Sequence, residues 1–154
     1  MPFLAVDHFP QEEEAGCLAA CTQMALSYLG IQRTQAELNQ LFSLRQGGVP
    51  LSRLQRIEPY GVQVAIQSGE ETHLRQAIDE GIVPFVFIRT NELSYWQTDT
   101  RHVILVVGYD EANFLIHDPA FADAPKSVNA DELMLAWGEF DYLYATVTFP
   151  KSLK

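Results

Sequence analysis

Cys17 stands where a strongly apolar segment begins to read as a helix. At a helix start the unpaired backbone N–H groups and the dipole favour an anion, which lowers a thiol pKa towards neutrality. A thiolate is a nucleophile, so this position suits nucleophilic catalysis. The rival reading is a small buried hydrophobe, as free cysteines commonly are. Gln11 lies six residues earlier, in a polar stretch. Its amide can donate to an oxyanion beside the Cys17 N–H, or it is a solvated loop glutamine. The run Glu12-Glu13-Glu14 between them reads as solvated surface.

His102 opens an apolar, strand-like run, where a buried imidazole without a partner is costly. Asp118 follows sixteen residues later, just before Pro119, at the end of the next strand-like run. A hairpin returns the two to one edge of a sheet. A three-residue loop or a bulge places them on one face, diagonally within reach, whereas a two-residue loop puts them on opposite faces. Asp118 can then fix the imidazole tautomer and steady the imidazolium while the other ring nitrogen faces the thiol. The rival readings are a strand-edge histidine bonded to a loop and an Asp-Pro turn.

The remaining candidates are weaker. His117 adjoins Asp118 and so points to the opposite face, while His8 and His73 read as surface. Cys17, Cys21 and the histidines lack the paired short spacings of a zinc site, so no metal is expected. Gly47-Gly48 is followed by no Gly-Lys-Ser/Thr, and Gly-x-Ser-x-Gly is absent. Neither a phosphate loop nor a serine-hydrolase elbow is expected, and no cofactor is called for.

Composition bounds the setting. The 154 residues suit one domain, 1–154, and 47% apolar against 19% charged residues suits a compact globule. No apolar run approaches the about 20 residues of a membrane span. Met1 to His8 lacks the basic head and apolar stretch of a signal peptide. Cys17 and Cys21 sit four apart, where a bridge along one helix turn is strained, so free thiols in the cytoplasm are expected. Ten basic against twenty acidic residues give a net charge of −10. Nucleic acid and anionic membranes are poor partners for such a surface, and cationic or neutral substrates fit it better.

These residues need elements to position them. Gly16 to Leu29 reads as a helix apolar round most of its girth, stopped by Gly30. Thr34-Gln35-Ala36-Glu37 is a capping box opening a second helix to about Leu44, and a short third helix runs from Pro50 to about Pro59. Strands are expected over Val62–Gln67, Ile82–Ile88, His102–Tyr109, Phe114–His117 and Tyr142–Phe149. Helices are expected over Glu71–Glu80 and, capped by Asn129 with Glu132, up to about Trp137. Helices early and strands late make an α+β plan, an N-terminal helical layer packed on a C-terminal twisted antiparallel sheet.

The stretch Gln11-x5-Cys17-x6-Met24-x-Leu26-x-Tyr28-Leu29-Gly30 resembles the N-terminal block of the bacterial papain-like peptidases that process double-glycine leader peptides. The later block His102 to Asp110, followed by His117-Asp118-Pro119-Ala120, is similar to the same family's histidine and aspartate segment. The resemblance implies a papain-like fold and a stand-alone cysteine peptidase without transporter parts. It implies Cys17 as nucleophile, His102 as general base and acid, Asp118 as its orienting partner and Gln11 as oxyanion donor. One departure is Leu18, where the family often has glycine directly after the nucleophile.

The resulting expectation is hydrolysis of a peptide or amide bond through an acyl-enzyme. Its rivals are acyl transfer to an amine and a binding module that uses the cleft without catalysis. Expected partners are a peptide or protein substrate and an unidentified partner protein. Thr90–Arg101 joins two strands with twelve residues and ends beside His102, and connections of that length are usually functional. It carries Tyr95 and Trp96 as aromatics for gripping a peptide, with Glu92 and Asp99 as acidic groups near the cleft. The alternative is a plain loop whose aromatics tuck back onto the sheet.

Overall fold

Apolar residues on almost every side make the first helix, α1 (Cys17–Tyr28), a buried one, with Leu18 to Thr22 and Met24 to Leu26 enclosed and Gly16 as N-cap. The computed structural model describes residues 1–151; the last three residues of the expected domain lie outside the described residues. Thr34 caps α2 (Gln35–Leu41) through the expected box: its side chain accepts from Glu37 N–H while Glu37 accepts from Thr34 N–H. This helix stops short of Leu44, because the chain turns at Ser43 with a positive φ of 55°. The third expected helix, Leu51–Tyr60, is a 3₁₀ segment. Its buried residues Leu51, Leu54 and Ile57 recur every third position, which matches three residues per turn rather than 3.6.

The second half supplies β1 (Gln63–Ser68), α3 (Glu71–Asp79), β2 (Pro84–Arg89), β3 (Arg101–Tyr109), β4 (Asn113–His117), β5 (Lys126–Asn129), α4 (Ala130–Gly138) and β6 (Leu143–Thr148). They form one six-stranded sheet in the order β1-β6-β2-β3-β4-β5, and every pair is antiparallel. The expected α+β plan stands, with one addition: both faces of the sheet are covered. Val103, Leu105 and Val107 point to α1, α2 and the 3₁₀ segment, while Ile104 and Val106 point to α3 and α4. Burial on both faces is why β3 reads as an unbroken apolar run.

Strand β5 goes unread in the sequence because it carries only one buried residue, Val128, and joins the sheet edge through its backbone. Asn129 caps α4 by accepting from Asp131 N–H at 2.9 Å, but Glu132 does not complete a box. Its carboxylate instead accepts from Ser94 N–H at 2.8 Å and ties α4 to the loop before β3.

The β3–β4 hairpin decides where the site residues fall. Tyr109 pairs with Phe114 and Gly108 with Leu115, a register that by itself sends His102 and Asp118 to opposite faces. A bulge between Val106 and Gly108 shifts the ladder by one, so Leu105 faces His117 and Asp118 arrives on the face of His102. The N-terminal arm lies against this bulge, with Leu4 N–H donating to Val107 O at 2.7 Å and Tyr109 N–H to Pro2 O at 3.1 Å.

A side chain at Gly108 collides with that arm, since an added Cβ lies 2.9 Å from Pro2 O. Gly108→Val is expected to lower stability by about 1–3 kcal/mol in urea unfolding. Gly47→Ala, whose Cβ meets nothing within 4 Å, leaves the midpoint in place.

Candidate active site

Three elements bring one side chain each to a single point. Cys17 is the first residue of α1, His102 the second of β3, and Asp118 follows the last residue of β4. His102 Nε2 lies 2.6 Å from Asp118 Oδ1, and both side chains are buried, at 4% and 0% exposure. The other ring nitrogen, Nδ1, is left for the Cys17 thiol, and the imidazole lowers the pKa of that thiol. The imidazole thus stands between the carboxylate it bonds and the thiol it acidifies.

Burial pushes the Cys17 thiol up, but the hydrogen bond and charge of His102, helped by the backbone amides of Val103 and Leu18, carry it below its ordinary value. Burial likewise opposes the charged imidazole, yet its bonds to Asp118 and Cys17 push His102 up to about 9. Asp118 stays ionised because His102, Tyr95 and the Ala120 N–H outweigh its burial. Both shifts favour the thiolate–imidazolium form of the pair. Cys21, one turn along, is the reverse case: full burial and the nearby Cys17 and Asp118 charges push its thiol well up. Its Sγ donates to Val103 O at 3.4 Å, as a protonated thiol does.

Asp118 has a full set of donors. Oδ1 accepts from His102 and from Ala120 N–H at 3.0 Å. Oδ2 accepts from Tyr95 Oη at 2.7 Å and Trp96 Nε1 at 2.8 Å. The two aromatics read from the sequence as exposed grips are thus half-buried and turned inward. Trp96 also sets its ring edge-on to His102, at 4.9 Å between centroids, and still lines the cleft. Tyr95 packs edge-on to Phe121 at 5.2 Å and does not line it. Burial and the Asp118 charge hold the Tyr95 phenol well above its ordinary value, so it remains a donor. Asp99 is paired with Arg89 at 2.8 Å.

Gln11 lines a cavity of about 610 Å³ together with Cys17, Trp96 and His102. Its Nε2, however, donates to the carbonyls of Glu13 at 3.0 Å and Glu14 at 2.6 Å, while its buried Oε1 has no partner. The structure brings Gln11 to the site with its donors turned to its own loop. That loop is held by Gln35, whose carbonyl oxygen accepts from Glu12 N–H at 2.9 Å and whose amide donates to Pro10 O at 2.9 Å. Gln11 N–H also donates to Pro119 O at 2.7 Å, tying the loop to the residues after Asp118.

Sequence reasoning passed over Gln35, because a buried glutamine inside a capping-box segment looks like any polar helix residue. It weighed Gly47-Gly48 only as a phosphate loop, whereas this turn walls the cleft on both sides of Cys17. Two histidines read as peripheral are also engaged. His117 donates to Val6 O at 2.7 Å and His8 to Phe121 O at 2.7 Å, with their rings edge-on at 5.1 Å. Among the described residues no group of three His, Cys, Asp or Glu is placed to hold a metal, and no helix is long and apolar enough to cross a membrane.

A family model described as the Peptidase C39 like family matches residues 3–145. Among solved structures, a double-glycine motif protease from an AMS/PCAT transporter, in complex with the leader peptide, superposes with TM-score 0.77 at 17% identity, covering 96% of this chain and 94% of that one. The peptidase domain of Streptococcus ComA, a bi-functional ABC transporter of a quorum-sensing pathway, gives 0.76 at 14%, covering 97% and 100%. A Bacillus anthracis protein assigned to the C39-like peptidases gives 0.76 at 16%, covering 96% of each chain. At such identities the likeness is one of fold. No curated protein sequence matches the chain at a significant level.

Two outcomes follow from the geometry. Because the Cys17 thiol lies below its ordinary value, its alkylation by iodoacetamide rises with pH at a midpoint below the about 8.5 of a free thiol. In His102→Ala that midpoint rises, since burial is then opposed only by the Val103 and Leu18 amides. Tyr95→Phe removes one donor from Asp118, which weakens its hold on the imidazolium and shifts the Cys17 midpoint upwards. If Tyr95 served only to grip peptides, the alkylation profile of Tyr95→Phe would match that of the wild type.

Proposed function

The chain belongs to the Peptidase C39 like family, and on that premise we propose that it is a cysteine peptidase working through Cys17, His102 and Asp118. The observation that carries this reading is the imidazole held between a buried carboxylate at 2.6 Å and a thiol acidified by it. A cleft built only to bind has no use for a thiolate–imidazolium pair.

In this reading the Cys17 thiolate attacks the scissile carbonyl, forming a C–S bond and a tetrahedral oxyanion. The Cys17 N–H at the start of α1 meets that oxyanion, and Gln11 Nε2 joins it on releasing the Glu14 carbonyl. The imidazolium of His102 gives its proton to the departing amine as the C–N bond breaks. Neutral His102 then takes a proton from water, whose oxygen attacks the acyl-enzyme. The C–S bond breaks, the acid product leaves and the thiolate–imidazolium pair returns. Asp118 remains an anion throughout and holds the ring in one orientation. The substrate is a peptide segment lying in the cleft around Cys17, and a cytoplasmic setting suits its free thiol.

Hydrolysis of a mixed peptide library, followed by mass spectrometry, tests this. Cys17→Ala and His102→Ala are each expected to lower kcat by about 10⁴-fold or more, and the double variant to lose no more than either alone. Cys21→Ala retains activity. With His102 titrating at about 9, turnover falls above that pH as the proton for the leaving amine is lost. Cleavage that persists in Cys17→Ala, or products that form only when an external amine is added, would replace this reading with another.

A further inference from the structure

The cleft has a second half. On the far side of Cys17 from Trp96 lies a cavity of about 620 Å³, walled by Gly47-Gly48 and floored by Phe87 and Leu143. Arg45, Arg53 and Arg101 also line it. No carboxylate among the described residues lies within ion-pair distance of any of the three. Asp99, one of the two acidic groups expected near the cleft, is taken up by Arg89. Arg53 is moreover fixed in place: its Nη1 donates to Phe42 O at 2.7 Å and Ser43 O at 3.2 Å, leaving its other N–H groups free.

We propose that this half of the cleft receives an acidic side chain of the peptide substrate, gripped by Arg45, Arg53 and Arg101 beside an apolar floor. The inference rests on the peptidase reading and adds a substrate class to it. It also reverses what the net charge of −10 suggests, because a peptide meets the local field of the cleft and not the sum over the surface. Guanidinium groups suit the task, since their planar N–H forks match carboxylate oxygens two at a time. The other half carries Glu14 and, of the three arginines, only Arg101, so the cleft is polar along its length and fixes the direction in which an acidic peptide lies.

The test uses N-iodoacetyl dipeptide amides that carry Glu, Gln or Lys, which alkylate Cys17 with loss of iodide. Their rates are compared at low salt and at about 1 M salt, where charges are screened within about 3 Å. The Glu reagent is expected to react about tenfold faster than the Lys reagent at low salt, with Gln between them and the gap closing in high salt. In Arg45→Glu, on an exposed turn where folding is not at stake, the Glu-to-Lys ratio falls several-fold, and in Arg53→Gln it falls towards one. A ratio of one in the wild type, or a ratio unchanged in both variants, overturns the proposal. Slow alkylation by plain iodoacetamide counts instead against the peptidase reading, and the ratio still reports the charge of the cleft.

Discussion

A carboxylate without access to water must have its lone pairs met by donors, or its burial costs several kcal/mol. Asp118 is in that position, and much of the molecule is arranged around it. One oxygen takes the imidazole and a backbone amide; the other takes a phenol and an indole. The long connection before β3 is there to bring Tyr95 and Trp96 to this carboxylate, and α4 steadies it through Glu132 and Ser94. The bulge in β3 turns Asp118 to the face of His102, and the N-terminal arm packs on the bulge. Asparagine in place of Asp118 could keep an oxygen on His102 only by aiming amide hydrogens at the Trp96 indole N–H, which can only donate. The site is built for an anion.

The two cysteines show how far surroundings override residue type. They share one helix and one turn, yet one thiol is acidified and the other suppressed. The Cys17 thiol is lowered by His102 and the Val103 and Leu18 amides against its burial, whereas Cys21 has only burial and neighbouring negative charge. Charge behaves in the same way on a larger scale. An acidic chain carries three arginines without carboxylate partners along one half of its cleft.

What could be read in the sequence was what depends on neighbours along the chain. Helix starts at Gly16 and Thr34, the apolar run of β3 and the Asp-Pro stop after β4 follow local rules, and they placed Cys17, His102 and Asp118 at element ends. The need for a bulge or a three-residue loop was visible as a parity condition, but which device met it depended on the arm packing against Gly108. Strand β5 and the inward turn of Tyr95 and Trp96 depend on partners far along the chain, and residue type alone left the aromatics between gripping a peptide and tucking back onto the sheet. Gln35 was silent for the same reason, its three partners being contributed by residues 10, 12 and 23.

The order of the sheet has a consequence for the birth of the molecule. The thiol lies on α1, which leaves the ribosome well before β3 and β4 bring the imidazole and carboxylate that acidify it. Strand β1 finds its partner only in β6, the last strand of this sheet in chain order. Throughout synthesis Cys17 is therefore an ordinary, protonated thiol on an unfinished chain. Its nucleophilicity appears only when β3 and β4 have paired and closed over α1, so the reactive group stays silent until the chain that carries it has finished folding.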